Sequence, residues 1–213
     1  MTYANHQWER LALESFIEIT QAPYATFESI GKLYNTLNDA ESVKQMIDYL
    51  SRYEPAKRAL HNRPFLGEID LQSLHQLPEQ TLGYQYADHM IRNAFAPVHL
   101  PVPENEHAYL LAHIVETHDI WHVVTGFDTS MAGEIALQTF VAAQLHASRF
   151  SLAMLAKNLL KTAIEEIELA EQRLNALTEG WIAGKQANCL VGIEWNLFWK
   201  TPLEQLRTQL NLN

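Results

Sequence analysis

Apolar residues recur every three or four positions along most of the chain, the period of an α-helix that buries one face. Residues 5–20 carry Trp8, Leu11, Leu13, Phe16 and Ile17 at that spacing, and Pro23 marks a break. Phe27, Ile30, Leu33, Tyr34 and Leu37 give a second helix its stripe, and Asn38-Asp39 caps a third with Val43, Met46, Ile47 and Leu50 inward. From Pro55 to Pro78 the pattern loosens. RPFLGEIDL reads as a turn or extended piece, LQSLHQL as a short helical one, and the whole as a linker across the surface. Thr81-Leu82-Gly83 leads into a helix through Tyr84, Ala87, Met90 and Ile91, which Pro97, Pro101 and Pro103 stop. Two helices follow, Glu104 to Thr125 and Ser130 to about Ala147.

Residues 151–177 form the longest periodic run, with Leu152, Leu155, Leu159 and Ile167 inward and Lys161, Glu165 and Glu168 outward. Gly180 and Gly184 punctuate what comes next. Trp195, Phe198 and Trp199 read as packing, with membrane contact as the alternative, and Pro202 restarts a last amphipathic helix. Strand alternation is absent, so the pattern predicts an all-α fold, a helical bundle forming one domain over 1–213.

Composition narrows the partners. The chain has 213 residues, 47% of them hydrophobic, enough for a sizeable core. A net charge of −10 argues against a nucleic-acid partner, which calls for a basic surface. Cys189 is the only cysteine, so an intramolecular disulfide and a thiolate metal cluster are both excluded. Glu9 and Glu14 interrupt the first apolar pattern, which argues against an ordinary signal peptide. No uninterrupted apolar stretch reaches the ~18 residues of a membrane span, so the expectation is a soluble or peripherally attached protein.

The chemistry concentrates in residues 118–134, HDIWHVVTGFDTSMAGE. On a helix His118 and His122 project only ~40° apart, and Asp119 lies ~60° beyond His122. The same wheel brings Leu111, Ile114 and Val115 onto that face, so these groups point inward. Gly126 and Asp128-Thr129-Ser130 end one helix and cap the next, placing Glu134 near an N-terminus that favours a carboxylate. Glu134 shares its face with Leu137, Val141 and Leu145. Burying unpartnered carboxylates costs several kcal/mol each, and a divalent cation removes that cost. A metal-binding helix-turn-helix using His118, Asp119, His122 and Glu134 is therefore the leading reading, and a plain hydrogen-bonded network the bland one. Asp128 and Gln138 are candidates for contacts behind the ligands.

HDIWHVVTGFDTSMAGEIALQTF resembles the signature of the coenzyme Q biosynthesis protein 4 family, an HD-x-x-H followed by eleven residues and a Glu. RPFLGEIDLQSLHQLPEQTLGYQYADHM and IEWNLFWKTPLEQL are similar to that family's flanking segments, so the resemblance covers about residues 60–210. It implies an all-α protein of ubiquinone-type prenylquinone biosynthesis holding a divalent metal, zinc foremost, on residues matching His118, Asp119, His122 and Glu134. It further implies a role at C1 decarboxylation of a polyprenyl-hydroxybenzoate, or in organising other quinone-biosynthesis proteins at a membrane surface. Binding of a polyprenyl lipid or prenylated quinone precursor, and a homodimer, belong to the same expectation. The N-terminal targeting extension of mitochondrial members is missing, which points to a bacterial-type cytoplasmic protein, with peripheral contact at the inner face of the cell membrane as an option.

Four ligands on a tetrahedral zinc make a closed, structural site. Magnesium, manganese or iron(II) would leave positions open for a substrate carboxylate or phenolate. Two other readings use the same residues. An HD-type phosphohydrolase needs an earlier ligand His, for which His89 or His107 is available, and a later Asp that the chain lacks beyond Asp128. A non-catalytic isoprenoid-binding adaptor needs the same four ligands. A metalloprotease is weaker, because Asp119 stands where the general-base Glu would be.

Overall fold

Short polar side chains set the helix starts. Asp39, Asp70, Thr81, Asn105, Ser130 and Ser148 each accept a backbone N–H from the first turn that follows, satisfying donors that a helix leaves open. The structure is a computed structural model and describes residues 3–21, 27–98, 100, 103–146 and 148–212. Pro23, Pro101 and Ala147 lie outside the described residues, as does the side chain of Phe27.

Eleven α-helices occur among the described residues. They are α1 (Tyr3–Gln21), α2 (Phe27–Leu37), α3 (Ala40–Leu50), α4 (Glu54–Asn62), α5 (Leu71–Leu74), α6 (Leu82–Arg92), α7 (Glu106–Thr125), α8 (Met131–Gln144), α9 (Arg149–Glu165), α10 (Ala170–Gln186) and α11 (Leu203–Leu210). Among these residues there is no strand beyond one isolated bridge, Thr81 with Pro202, so the class is all-α.

The main core joins α3, α4, α6, α7 and α8 to the segment around residues 190–195 and to α11. Trp121, Trp195, Tyr86, Tyr109 and Phe140 are its largest fully buried side chains. A smaller core of Ile19, Leu33 and Leu37, flanked by Trp8, Phe16, Ile30, Phe150 and Met154, ties α1 and α2 to α9. Residues 199–207 stitch the site-bearing helices together. Leu82 N and Gly83 N donate to Thr201 O and Trp199 O at 2.9 and 2.8 Å. Arg207 closes the end of α7, its Nε and Nη2 donating to Val124 O and Val123 O at 3.0 Å each, a cation placed where the helix dipole favours it.

Four sequence expectations change. The stretch from Pro55 opens as helix α4, with Ala56, Ala59 and Leu60 buried. Pro55 sits in the first turn, where the missing N–H costs nothing, and small alanines carry too little apolar signal to show as a stripe. The run 151–177 breaks at Glu166, because buried Arg173 turns back to donate to Thr162 Oγ1 (2.7 Å) and to the Glu166 carboxylate. Leu152 and Ile167, expected inward, are exposed, as are Leu11, Leu13 and Ile17 in α1. Gly180 and Gly184 lie inside α10 and press it against α8. A Cβ at Gly180 would sit 2.0 Å from Ala136 O, so only glycine permits this approach. In the tail, Trp195 is core and Trp199 stacks on Tyr86 at 5.4 Å between centroids, as packing predicts.

Candidate metal centre

The helix-turn-helix forms from local rules. Asn105 Oδ1 caps α7 by accepting Ala108 N–H at 2.9 Å. Gly126, at φ 81°, ends the helix in the left-handed conformation that glycine adopts without strain. Asp128 Oδ1 accepts Ser130 N–H, and Ser130 Oγ accepts Gly133 N–H, which starts α8 with Glu134 in its first turn. A Cβ on Gly133 would meet Asp128 O at 2.0 Å, so the turn requires that glycine too.

Three of the four predicted ligands converge. His122 Nε2 lies 3.2 Å from His118 Nε2 and 3.2 Å from Glu134 Oε1, and His118 Nε2 lies 3.7 Å from Glu134 Oε2. The His122 side chain is 1% exposed, Glu134 13% and His118 37%, so the cluster opens to solvent on the His118 side. His122 Nδ1 lies 2.9 Å from Phe127 O. A carbonyl only accepts, so Nδ1 carries the proton of the neutral ring and the Nε2 lone pair faces the cluster.

Electrostatics follow from that crowding. Burial opposes a charged Glu134, but where the imidazoles of His118 and His122 carry a second proton their hydrogen bonds and charge outweigh it and hold the carboxyl at about 2. Burial likewise opposes protonation of His122, yet Glu134, backed by Phe127 O and Asp119, raises its pKa above the ordinary value. These groups suit a divalent cation. Two imidazole nitrogens and a carboxylate are borderline and hard donors, and ligands at ~2.0–2.1 Å from a zinc ion stand roughly 3.3 Å apart in a tetrahedron, close to the spacings above.

Asp119 stands apart from the three. Its Oδ1 is 3.7 Å from His89 Nε2, on α6, and the His89 and His122 rings lie near-parallel with centroids 5.9 Å apart. Burial first, and then the charge of Asp119, push the Tyr86 phenol upward. His107 packs on Tyr34 instead. Asp128 is engaged with Ser130, and Gln138 Oε1 accepts from Asn158 Nδ2 at 2.7 Å. His89 is the group at the centre that the motif does not mark. Its signal is a polar residue beside Met90 and three after Tyr86, both buried.

A second histidine–carboxylate pair occupies the same helix. His113 Nε2 accepts Gly192 N–H at 3.0 Å, leaving Nδ1 as the donor toward Tyr109 Oη (3.3 Å) and Glu116 Oε1 (3.6 Å). Glu116 also accepts Leu66 N–H at 3.4 Å. No ligand pattern in the sequence announces this pair.

An all-α bundle with a histidine–carboxylate cluster at a helix-turn-helix is thus the class that fold and side chains define. The profile of the family described as Coenzyme Q (ubiquinone) biosynthesis protein Coq4 matches residues 4–213, and the chain belongs to that family. The match extends through residues 4–59, beyond the span of about 60–210 that the sequence resemblance covers. A mitochondrial ubiquinone biosynthesis protein homologue from Danio rerio is 31% identical over 156 residues, covering 69% of this chain and 55% of its own. The counterpart from Rattus norvegicus is 28% identical over 183 residues, covering 81% and 66%. This chain therefore spans less than two thirds of the length of these relatives. A crystal structure from Nostoc punctiforme, of a protein provisionally assigned to ubiquinone biosynthesis, has the same fold, with a TM-score of 0.84 over 100% of both chains at 24% identity.

Proposed function

We propose that the chain acts in ubiquinone-type prenylquinone biosynthesis, with a divalent ion, zinc foremost, held by His118, His122 and Glu134 and by Asp119 as fourth ligand. The observation that carries this reading is the approach of two imidazole nitrogens and a carboxylate to within 3.2–3.7 Å of one another, with the far nitrogen of His122 committed to Phe127 O. Metal-binding histidines are commonly oriented by such a backbone acceptor.

An ion that keeps a position open beyond these ligands, as magnesium, manganese or iron(II) would, supplies a Lewis acid that stabilises negative charge on a ring oxygen or carboxylate, whereas a zinc closed by all four would tie α7 to α8. The residues do the rest. Buried His122 and partly buried Glu134 fix the inner wall, and the more exposed His118 marks the open side, where an aromatic acid has access. Exposed Leu152, Leu160, Ile164 and Ile167 on and after α9, with Leu174, Trp181 and Ile182 on α10, offer apolar surface for a polyprenyl tail or a membrane face. Among the described residues no helix is long and apolar enough to cross a membrane. Family membership favours this reading over a phosphohydrolase, and so does Asp128, the last aspartate of the chain, being spent on Ser130.

Elemental analysis of the untagged protein, together with titration of prenylated and unprenylated hydroxybenzoates, tests the proposal. Each buried CH₂ contributes ~0.8 kcal/mol, so a bound tail gives a large gain in affinity. Equal affinity for the two acids would remove the lipid part, and absence of any ion would remove the metal part.

A further inference from the structure

We propose that His89 is a positioning residue of the metal centre, which holds the Asp119 carboxylate in place from a third helix. The inference rests on the metal reading above and adds to it a residue outside the His118, Asp119, His122 and Glu134 set.

Three observations carry it. His89 Nε2 is fully buried and has no hydrogen-bond partner. Leaving such a nitrogen unsatisfied is unfavourable, a penalty that a phenylalanine in the same slot, between the His122 ring and Phe95, would not carry. Second, the nitrogen is aimed. Asp119 Oδ1 lies 3.7 Å away, beyond a good hydrogen bond but reached by a side-chain adjustment of less than an ångström. Third, Asp119 needs a holder. Its carboxylate is set aside from the three converged ligands and has no other ion-pair partner among the described residues.

A neutral imidazole with its proton on Nε2 donates to a carboxylate and leaves the opposite oxygen free to ligate. The familiar arrangement, a ligand histidine oriented by an outer carboxylate, is here inverted: the carboxylate ligates and the histidine orients it. Helix α6 is thereby joined to the centre built by α7 and α8.

The test compares wild type with His89→Phe, which keeps the ring and removes the nitrogens, and His89→Gln, which keeps a donor at comparable reach. Zinc affinity is measured against a chromophoric chelator, and the ligand field is read from the visible spectrum of the cobalt(II) form. Expected is a weakening of about 10–100-fold in His89→Phe, an altered cobalt spectrum, and recovery of most of the loss in His89→Gln. The chelated His89→Phe protein should melt no lower than chelated wild type, which separates this role from a structural one. If His89→Phe does not fold, His89→Leu takes its place. Wild-type zinc affinity and spectrum in the folded nitrogen-free variant would overturn the inference while leaving the metal reading intact. A wild type that takes up neither zinc nor cobalt would overturn both.

Discussion

Helix α7 carries two histidine–carboxylate groups, and nearly the same residue types do opposite things in them. At His113 and Glu116 each imidazole nitrogen meets a protein atom, Gly192 N–H on one side and the Tyr109–Glu116 pair on the other, while Glu116 also takes Leu66 N–H. At His118, His122 and Glu134 the donors face one another at 3.2–3.7 Å. A residue's chemistry is therefore set less by its type than by whether backbone and neighbours have used its lone pairs. The first group pins residues 66 and 192 to the helix, and the second is left with lone pairs to give.

The largest effect should come from exchanging the fates of these groups. His122→Ala is expected to take metal content from about one equivalent to none, whereas His113→Ala keeps its ion and loses roughly 2–4 kcal/mol of stability, since a cavity opens and Gly192 N–H is left unpaired. Elemental analysis beside chemical denaturation reads both, and metal loss in His113→Ala would erase the distinction.

Next in size is Gly180→Ala. The new methyl meets Ala136 O and forces α8 away from α10, at about 1–3 kcal/mol. Because Glu134 rides on α8, zinc affinity should fall as well. Unchanged affinity in a destabilised variant would show that the centre does not depend on that helix contact.

A pH profile sharpens the contrast with a smaller shift. In chelated protein, the depressed Glu134 stabilises fully above its ordinary 4.5 and fades as pH falls toward about 2. The raised His122 stabilises fully below 6.5 and fades as pH climbs through its folded value. Chelated protein should thus melt highest between those limits and lose ground over the interval that begins near 6.5 and runs up through the folded value of His122. Metal binding requires deprotonated imidazole, so the zinc-dependent gain in melting temperature should grow over that interval. Parallel profiles with and without chelator would contradict the assignment. The smallest effect belongs to Glu116→Gln, expected to cost ~1 kcal/mol and to leave zinc affinity alone, as a competition titration would show.

Much of this was legible in the chain. Caps at Asp39, Thr81, Asn105 and Ser130 are short-range devices, and the 3.6-residue period placed most helices. The spacing of His118, His122 and Glu134 needed only a helix, a glycine and a serine cap. What stayed hidden depends on distant partners. Arg173 folding back on Thr162 and Glu166 splits a run whose periodicity is unbroken. Gly180 reads as punctuation until Ala136 is seen beneath it. His89 carries no motif, because Asp119 lies thirty positions away in sequence and one helix away in space.

The seam between residues 199–207 and the starts and ends of α6 and α7 has a temporal consequence. Strands of chain so far apart meet late, since closing a long loop costs entropy before any contact is made. A chain growing on the ribosome at ~5–20 residues per second exposes both histidine-bearing helices well before the segment that clamps them has been made. The cluster should therefore mature among the last events of folding, once residues 199–207 have reached α6 and α7.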